Sequence, residues 1–210
     1  MLILKGIDIS KWNKGLKLED VKKAGYEFVI IRGSYTGLGD GKTIVKDQYF
    51  DSFYKQAKES KLFVGAYHFS CANTKYKGEA EAEFIYKNCL KGRKFEMPIY
   101  IDVESKWQAK NKKATTDGII GFCEYLENKG YFVGVYSNHD WFNNKIDMDR
   151  IKPYSIWLAY WTRNKPSEPF EYGLWQNSDN GRITGKKVDT NICFIDYPNI
   201  IKKAKLNGFK

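Results

Sequence analysis

Apolar runs rich in β-branched and aromatic residues recur along this chain, and the early ones are each followed by a stretch with helical periodicity. The first five runs are Leu2–Ile9, Phe28–Arg32, Phe63–Phe69, Met97–Glu104 and Tyr131–Ser137. Such residues suit strands buried on both faces, the setting of a parallel sheet with helical crossovers. The helical stretches are Leu18–Gly25, Lys46–Ser60, Lys77–Leu90 and Thr115–Lys129, with Gly25 and Gly130 as stop signals. Beyond the fifth run the helices shrink to a turn or two at Asp140–Lys145. The runs Ser155–Trp161, Tyr172–Gln176 and Lys187–Phe194 then follow with no clear helix between them. Closing these strands on one another predicts an α/β fold, an incomplete (β/α) barrel in one domain. The barrel is expected to span 1–197, with 198–210 as a basic C-terminal helix or tail.

The fourth run ends in Ile101-Asp102-Val103-Glu104. Side chains at i and i+2 of a strand leave the same face, which puts these two carboxylates roughly 6–7 Å apart at Cα. Two like charges that close, at the end of an apolar strand, raise the pKa of one of them. A proton donor beside an ionised neighbour is the equipment for cleaving a glycosidic bond. The bland alternative is a capping Asp102 and a solvated Glu104. Barrels of this type carry function at the C-terminal ends of their strands. Asp8, Tyr67, His68, the Asp102/Glu104 pair and Tyr136 all fall there, which favours chemistry. A lone strand histidine is usually hydrogen-bonded structure, so His68 is expected to be structural. Glu79, Glu81 and Glu83 open a helix, where acids complement the dipole.

Composition narrows the class. Aromatics are 16% of residues, with 15 Tyr and 6 Trp, and their flat faces serve sugar rings as well as core. The net charge of +10 favours a polyanionic partner, yet the lysines are interspersed with acids and no basic run of five appears. Nucleic-acid binding lacks a basic cluster with interleaved aromatics. Cys71, Cys89, Cys123 and Cys193 form no C-x-x-C pair, which argues against zinc and a disulfide scaffold and fits synthesis in a reducing compartment. The N-terminal Met1-Leu2-Ile3-Leu4 is too short for a signal-peptide core, and no run is long enough to span a bilayer. A soluble chain, made in the cytoplasm and without membrane insertion, is expected.

Seven motifs stand in order over residues 1 to about 195. They are Gly6-Ile7-Asp8-Ile9-Ser10-Lys11-Trp12, Gly65-Ala66-Tyr67-His68-Phe69, Ile101-Asp102-Val103-Glu104, Val135-Tyr136-Ser137-Asn138, Trp157-Leu158-Ala159-Tyr160-Trp161, Leu174-Trp175-Gln176 and Val188-Asp189-Thr190-Asn191. Together they resemble the family 25 glycoside hydrolases, the Chalaropsis-type lysozymes found among phage endolysins and bacterial autolysins. The resemblance implies a TIM-like (β/α)5β3 barrel, in agreement with the strand count. It implies hydrolysis of the β-1,4 bond between N-acetylmuramic acid and N-acetylglucosamine in peptidoglycan, without cofactor or metal. It makes Glu104 the general acid, and it gives Asp102 either a nucleophilic role or, as favoured here, that of orienting the substrate's 2-acetamido group. Asp8 and Asp189 match the remaining site acids. Substrate-binding candidates are Tyr67, Tyr136, Trp12, Trp107, Tyr160 and Trp175; Trp157 and Trp161 are also weighed, but strand alternation divides that stretch between two faces.

Asn13 departs from the Gln common in the family after Trp12, a difference of one methylene expected to touch only loop detail. The expected partner is peptidoglycan, with teichoic acids drawn by the positive charge, and the expected state is monomeric. The absent leader and the lack of any C-x-x-C pair favour a phage or prophage endolysin that reaches the wall through a holin. A catalytically silent wall-binding barrel is the competing class, and the presence of all four acids argues against it.

Overall fold

The computed structural model describes residues 3–37, 39, 41–108 and 111–210. Strand β1 (Leu4–Ile9) leads through a 3-10 turn at Lys11–Asn13 to α1 (Leu18–Lys23), β2 (Phe28–Thr36), a short β3 (Ile44–Lys46) and α2 (Phe50–Glu59). Then come β4 (Phe63–Phe69), α3 (Lys75–Ile85), β5 (Ile99–Asp102), α4 (Lys112–Glu127) and β6 (Val133–Asn138). The last third holds the short α5 (His139–Asn144) and α6 (Met148–Ile151), then β7 (Ser155–Ala159), β8 (Leu174–Ile183), β9 (Lys186–Cys193) and α7 (Tyr197–Lys203).

The sheet runs β1-β9-β8-β7-β6-β5-β4-β2-β3, and β1 also pairs with β2. Because β3 pairs only with β2, the other eight strands close a barrel, as the strand spacing predicts. Strand β9 alone runs against both barrel neighbours, β8 and β1. Parallel strands need a long crossover, whereas antiparallel ones are joined by a hairpin, so the outer helices give out where β9 turns back. Ile183 and Lys186 flank that turn, and its central residues Thr184 and Gly185 sit at φ +47° and +81°, the left-handed pair of a type I′ hairpin.

Strand alternation sorts the core into two layers. Ile7, Ile9, Val29, Ile31, Val64, Ile101 and Val135 face the helices. Phe28, Ile30, Tyr100, Trp157, Leu174 and Cys193 fill the barrel. That filling needs glycine opposite the rings: a Cβ on Gly6 would lie 2.3 Å from the Phe28 ring, and one on Gly134 2.4 Å from Tyr100. The lower end is plugged by the C-terminus, expected as helix or tail. Asp196 accepts the Asn199 N–H and caps α7, and Tyr197, Ile201, Leu206 and Phe209 pack into the barrel interior. Among the described residues no helix is long and apolar enough to cross a membrane.

Several boundaries move from expectation. The helix expected from Lys46 starts at Phe50, because Lys46 is taken by the β3 pairing with Ser34. The strand expected to reach Glu104 ends at Asp102, and the one expected to reach Trp161 ends at Ala159. The strand expected over Tyr172–Gln176 runs on to Ile183, past the barrel's C-terminal rim, so the β8–β9 hairpin stands beside the mouth.

Candidate active site

Parallel barrel strands deliver inward residues to the mouth at their C-terminal ends, antiparallel β9 delivers one from its N-terminal half, and the acids arrive there by alternation. Asp8 is two residues beyond Gly6, Asp102 two beyond Tyr100, and Tyr136 two beyond Gly134. Asp189 faces Asp8 directly across the β1–β9 ladder. Together with Glu104, Tyr67, Trp157 and Gln176 they line a cavity of about 340 Å³ at the barrel mouth. The structure thus brings together Asp8, Tyr67, Asp102, Glu104, Tyr136 and Asp189 from the residues singled out in the sequence.

The acids differ in setting. Asp102 is 5% exposed, and its Oδ1 has no hydrogen-bond partner. Burial, then the charges of Glu104 and Asp8, push its pKa well above the ordinary carboxylate value, with Arg32 pulling the other way. Glu104 follows the strand and opens to solvent. The protein around its carboxyl and then the charge of Asp189 raise its pKa too, and the solvent on its open side leaves that rise below the one at Asp102. Asp8 is pushed up to about 8, by burial first and Asp189 second. Asp189 reaches about 6, through burial and Asp179, with Lys187 opposing. A cluster of this kind gives up its protons as a group. Burial holds the Tyr67 and Tyr136 phenols far above their usual range, so both are neutral donors.

Two amides hold Asp8, and two indoles hold the amides. Gln176 Nε2 and Asn191 Nδ2 donate to Asp8 Oδ2 at 2.9 and 2.8 Å. The Gln176 Oε1 accepts from Tyr136 Oη and Trp161 Nε1, each at 3.1 Å. The Asn191 Oδ1 accepts from Trp157 Nε1 at 2.8 Å. The donors fix both amide orientations, and Asp8 Oδ1 stays on the side away from both amides.

The other aromatic candidates lie outside the cavity lining. Trp175 is buried on the outer face of β8, its indole donating to the Tyr160 carbonyl at 2.8 Å, so its neighbour Gln176 is the inward residue. Trp12 is 77% exposed on the 3-10 turn, with Lys11 Nζ 5.0 Å above its ring. Trp107 is half-buried on the segment after Glu104 and packs against Gly41. Tyr160 stands at the rim, stacked on His139 at 4.5 Å. Sequence reasoning passed over Gln176 and Asn191, and weighed Trp157 without placing it in the site, where it lines the cavity. Asn191 was within reach, being two residues from Asp189 and therefore on the same face.

A model of the glycosyl hydrolases family 25 matches residues 7–186. The autolytic lysozyme of Clostridium acetobutylicum is 30% identical over 182 residues, 87% of this chain and 52% of that protein. The chain therefore spans about half the length of that relative. Lysozyme M1 of Streptomyces globisporus is 24% identical over 217 residues, covering 90% of this chain and 66% of its own. The bacterial lysozyme structure from Streptomyces coelicolor shares the fold with a TM-score of 0.80 at 23% identity, covering 99% of this chain and 98% of the other.

Proposed function

The chain belongs to the glycosyl hydrolases family 25, and from that membership we propose that it cleaves the β-1,4 bond between N-acetylmuramic acid and N-acetylglucosamine in bacterial peptidoglycan. One observation carries the reading: a solvent-facing Glu104 of raised pKa stands over a buried, orphaned Asp102 in a mouth holding two further acids.

Glu104 is the general acid. Its raised pKa keeps a proton available to the leaving glycosidic oxygen, and its open position lets a polymer reach it. Asp102 Oδ1 is an acceptor with no partner, suited to the N–H of the 2-acetamido group, whose carbonyl oxygen then attacks the anomeric carbon. As positive charge develops on the sugar, the pKa of Asp102 falls and its carboxylate form is favoured beside that charge. Asp189, ionised above about pH 6, adds negative potential to the same mouth, while Asp8 holds its proton up to about pH 8. Tyr67 supplies a neutral phenol to the sugar's oxygens, and Tyr136, whose proton goes to Gln176, offers a lone pair to a sugar hydroxyl or amide N–H. Tyr160, Trp161, Trp107 and Trp12 are the rim aromatics available to flanking rings; Trp175 keeps only a packing role.

The relatives named autolytic lysozyme and lysozyme M1 support the wall as the site of action. The net charge of +10 supports added affinity for teichoic acids, weakening with salt. A monomer released by a phage or prophage lysis system remains the reading of the cellular setting.

Digestion of Gram-positive walls, followed by borohydride reduction of the fragments, tests the function. Muramicitol from the wild type and none from Glu104→Gln is the expected result. Glucosaminitol would reassign the bond, and wall binding without new reducing ends would make the chain a binding module.

A further inference from the structure

Glu104 sits beyond the end of β5, with no ladder of its own to hold it. We propose that Glu81 of α3 is a positioning residue for Glu104, acting through Ser70, Gln108 and Ser105; this rests on Glu104 being the acid.

The backbone is tied on both sides of Glu104. Before it, the Val103 N–H donates to the Tyr136 carbonyl at 2.9 Å, and Ser137 Oγ donates to the Val103 carbonyl at 2.5 Å. After it, the Ser105 N–H donates to Gln108 Oε1 at 3.2 Å, and the Gln108 N–H donates to the Ser105 carbonyl at 2.8 Å. Gln108 Nε2 donates to Ser70 Oγ at 3.0 Å, and Ser70 Oγ donates to Glu81 Oε2 at 2.5 Å. The far end of the chain is anchored hard. Glu81 is 3% exposed, its Oε1 accepting from Thr36 Oγ1 at 2.5 Å and from the Cys71 N–H at 2.9 Å. His68 Nε2 lies 3.4 Å from Glu81 Oε2, and His68 Nδ1 lies 2.8 Å from Ser34 Oγ. Burial alone would raise the pKa of Glu81; His68, Ser70 and Thr36 outweigh it and leave the pKa lowered.

The carboxylate sets the direction of the whole relay. Ser70 Oγ already accepts from Gln108 Nε2 and from the Ala72 N–H, each at 3.0 Å, so both lone pairs are used and its proton has to go to an acceptor. Glu81, acceptor-only when ionised, provides it. With Gln at position 81, the Cys71 N–H keeps the amide oxygen on its own side and turns the NH2 toward Ser70. Ser70 then meets three donors with two lone pairs. Gln108 loses its acceptor, and the Ser105 N–H loses its hold beside Glu104. The helix bearing Glu81 is itself seated firmly: a Cβ on Gly78 of α3 would lie 2.0 Å from the Gly118 carbonyl of α4. Thr115 of α4 in turn donates to the Gln108 carbonyl at 2.7 Å.

The test is kcat and KM of the full chain on solubilised, uncross-linked glycan strands, with thermal stability read alongside. Glu81→Gln is expected to lower kcat by about tenfold to a hundredfold, the scale of a small misplacement of a reacting group. KM should stay within about twofold, because the groove walls are untouched. Ser70→Ala should give a similar loss, and the double variant should be no worse than either, as members of one relay behave. Glu96→Gln is the matched control. Glu96 is also buried, paired with Lys58 and accepting the Val64 N–H at 3.1 Å, but at the lower end of the barrel. It should lose stability and keep kcat. If Glu81→Gln loses stability like Glu96→Gln while kcat holds, or if the Ser70 and Glu81 losses multiply, the proposal is overturned. Should Glu81→Gln fail to fold, Ser70→Ala decides alone: an unchanged kcat sinks it. Full activity in Glu104→Gln would instead remove the functional reading, whatever Glu81 does.

Discussion

The two ends of the barrel use polar groups in opposite ways. At the lower end Asn207 is fully buried and satisfied: its Oδ1 accepts the Phe132 N–H at 2.7 Å, and its Nδ2 donates to the Phe95 and Met97 carbonyls at 3.2 and 3.0 Å. Each polar atom of the Asn207 side chain closes a backbone group that would otherwise be orphaned. At the upper end Asp102 is buried with an oxygen unmatched, and Asp8 faces Asp189 across a ladder. Asn207 serves stability at one end, and the other end carries an electrostatic cost that loss of a charge or a bound substrate would relieve.

Neutralising the acid at the mouth should produce the largest effect. Glu104→Gln is expected to lower turnover of wall polymer by about 10²–10⁴-fold, the usual contribution of a positioned acid. Its melting temperature should not fall, since Glu104 is exposed and crowded by Asp189 rather than paired. A large loss of stability in that variant would erase the contrast between the two ends.

The opposite variant belongs at the lower end. Asn207→Ala leaves the Phe132 N–H and two carbonyls without partners and puts alanine at φ +53°. A cost of about 2–4 kcal/mol is expected in denaturant unfolding, from unpaired buried groups and left-handed backbone. Turnover per folded molecule should be unchanged. Lost turnover in a folded Asn207→Ala protein would mean that the ends are coupled.

How far the sequence reached follows the same division. Period-2 alternation places Asp102 with Tyr100 and Asp8 with Gly6, so the acids were legible as inward residues. Alternation does not say which of two neighbours points in, and Trp175 was chosen where Gln176 is the inward one. The register that decides it, Gln176 opposite Asn191, is a pairing between strands with no local signal. Glu81 was read with Glu79 and Glu83 as a dipole partner. Yet it lies three residues after Gly78 and four before Ile85, both buried, which puts it on the inner face of α3. His68 was expected to be hydrogen-bonded structure, and its contacts with Ser34 and Glu81 agree. The last helix was legible as helix or tail, but its burial against the barrel floor depends on strands far away in sequence.

A smaller effect sharpens the upper end alone. The pKa of Asp8 rises from 3.8 to about 8 on folding, so the native state holds a proton that the unfolded chain has lost. The stabilisation this gives is complete below pH 3.8 and is lost as pH rises through about 8. Asp8→Asn keeps an oxygen for the Gln176 and Asn191 amides and removes that dependence. At pH 8 the variant should be more stable than wild type by about 0.5–2 kcal/mol, the range seen when a costly site residue is relieved. A wild-type protein whose stability rises between pH 4 and 8 would contradict this.

The smallest expected effect concerns the charge that acts on the acid itself. After burial, Asp189 is what raises the pKa of Glu104, and the pKa of Asp189 is itself about 6. Above that pH its carboxylate opposes the ionisation of Glu104 and keeps the catalytic proton in place. Asp189→Asn removes the repulsion, so Glu104 releases its proton at lower pH. The alkaline limb of kcat/KM should then move down by about 0.5–1 pH unit, the shift of a like charge across a partly solvated mouth. A limb that stays in place would take Asp189 out of the electrostatics of the acid and leave it a residue of the β1–β9 ladder; a limb that moves up would mean the acid is some group other than Glu104.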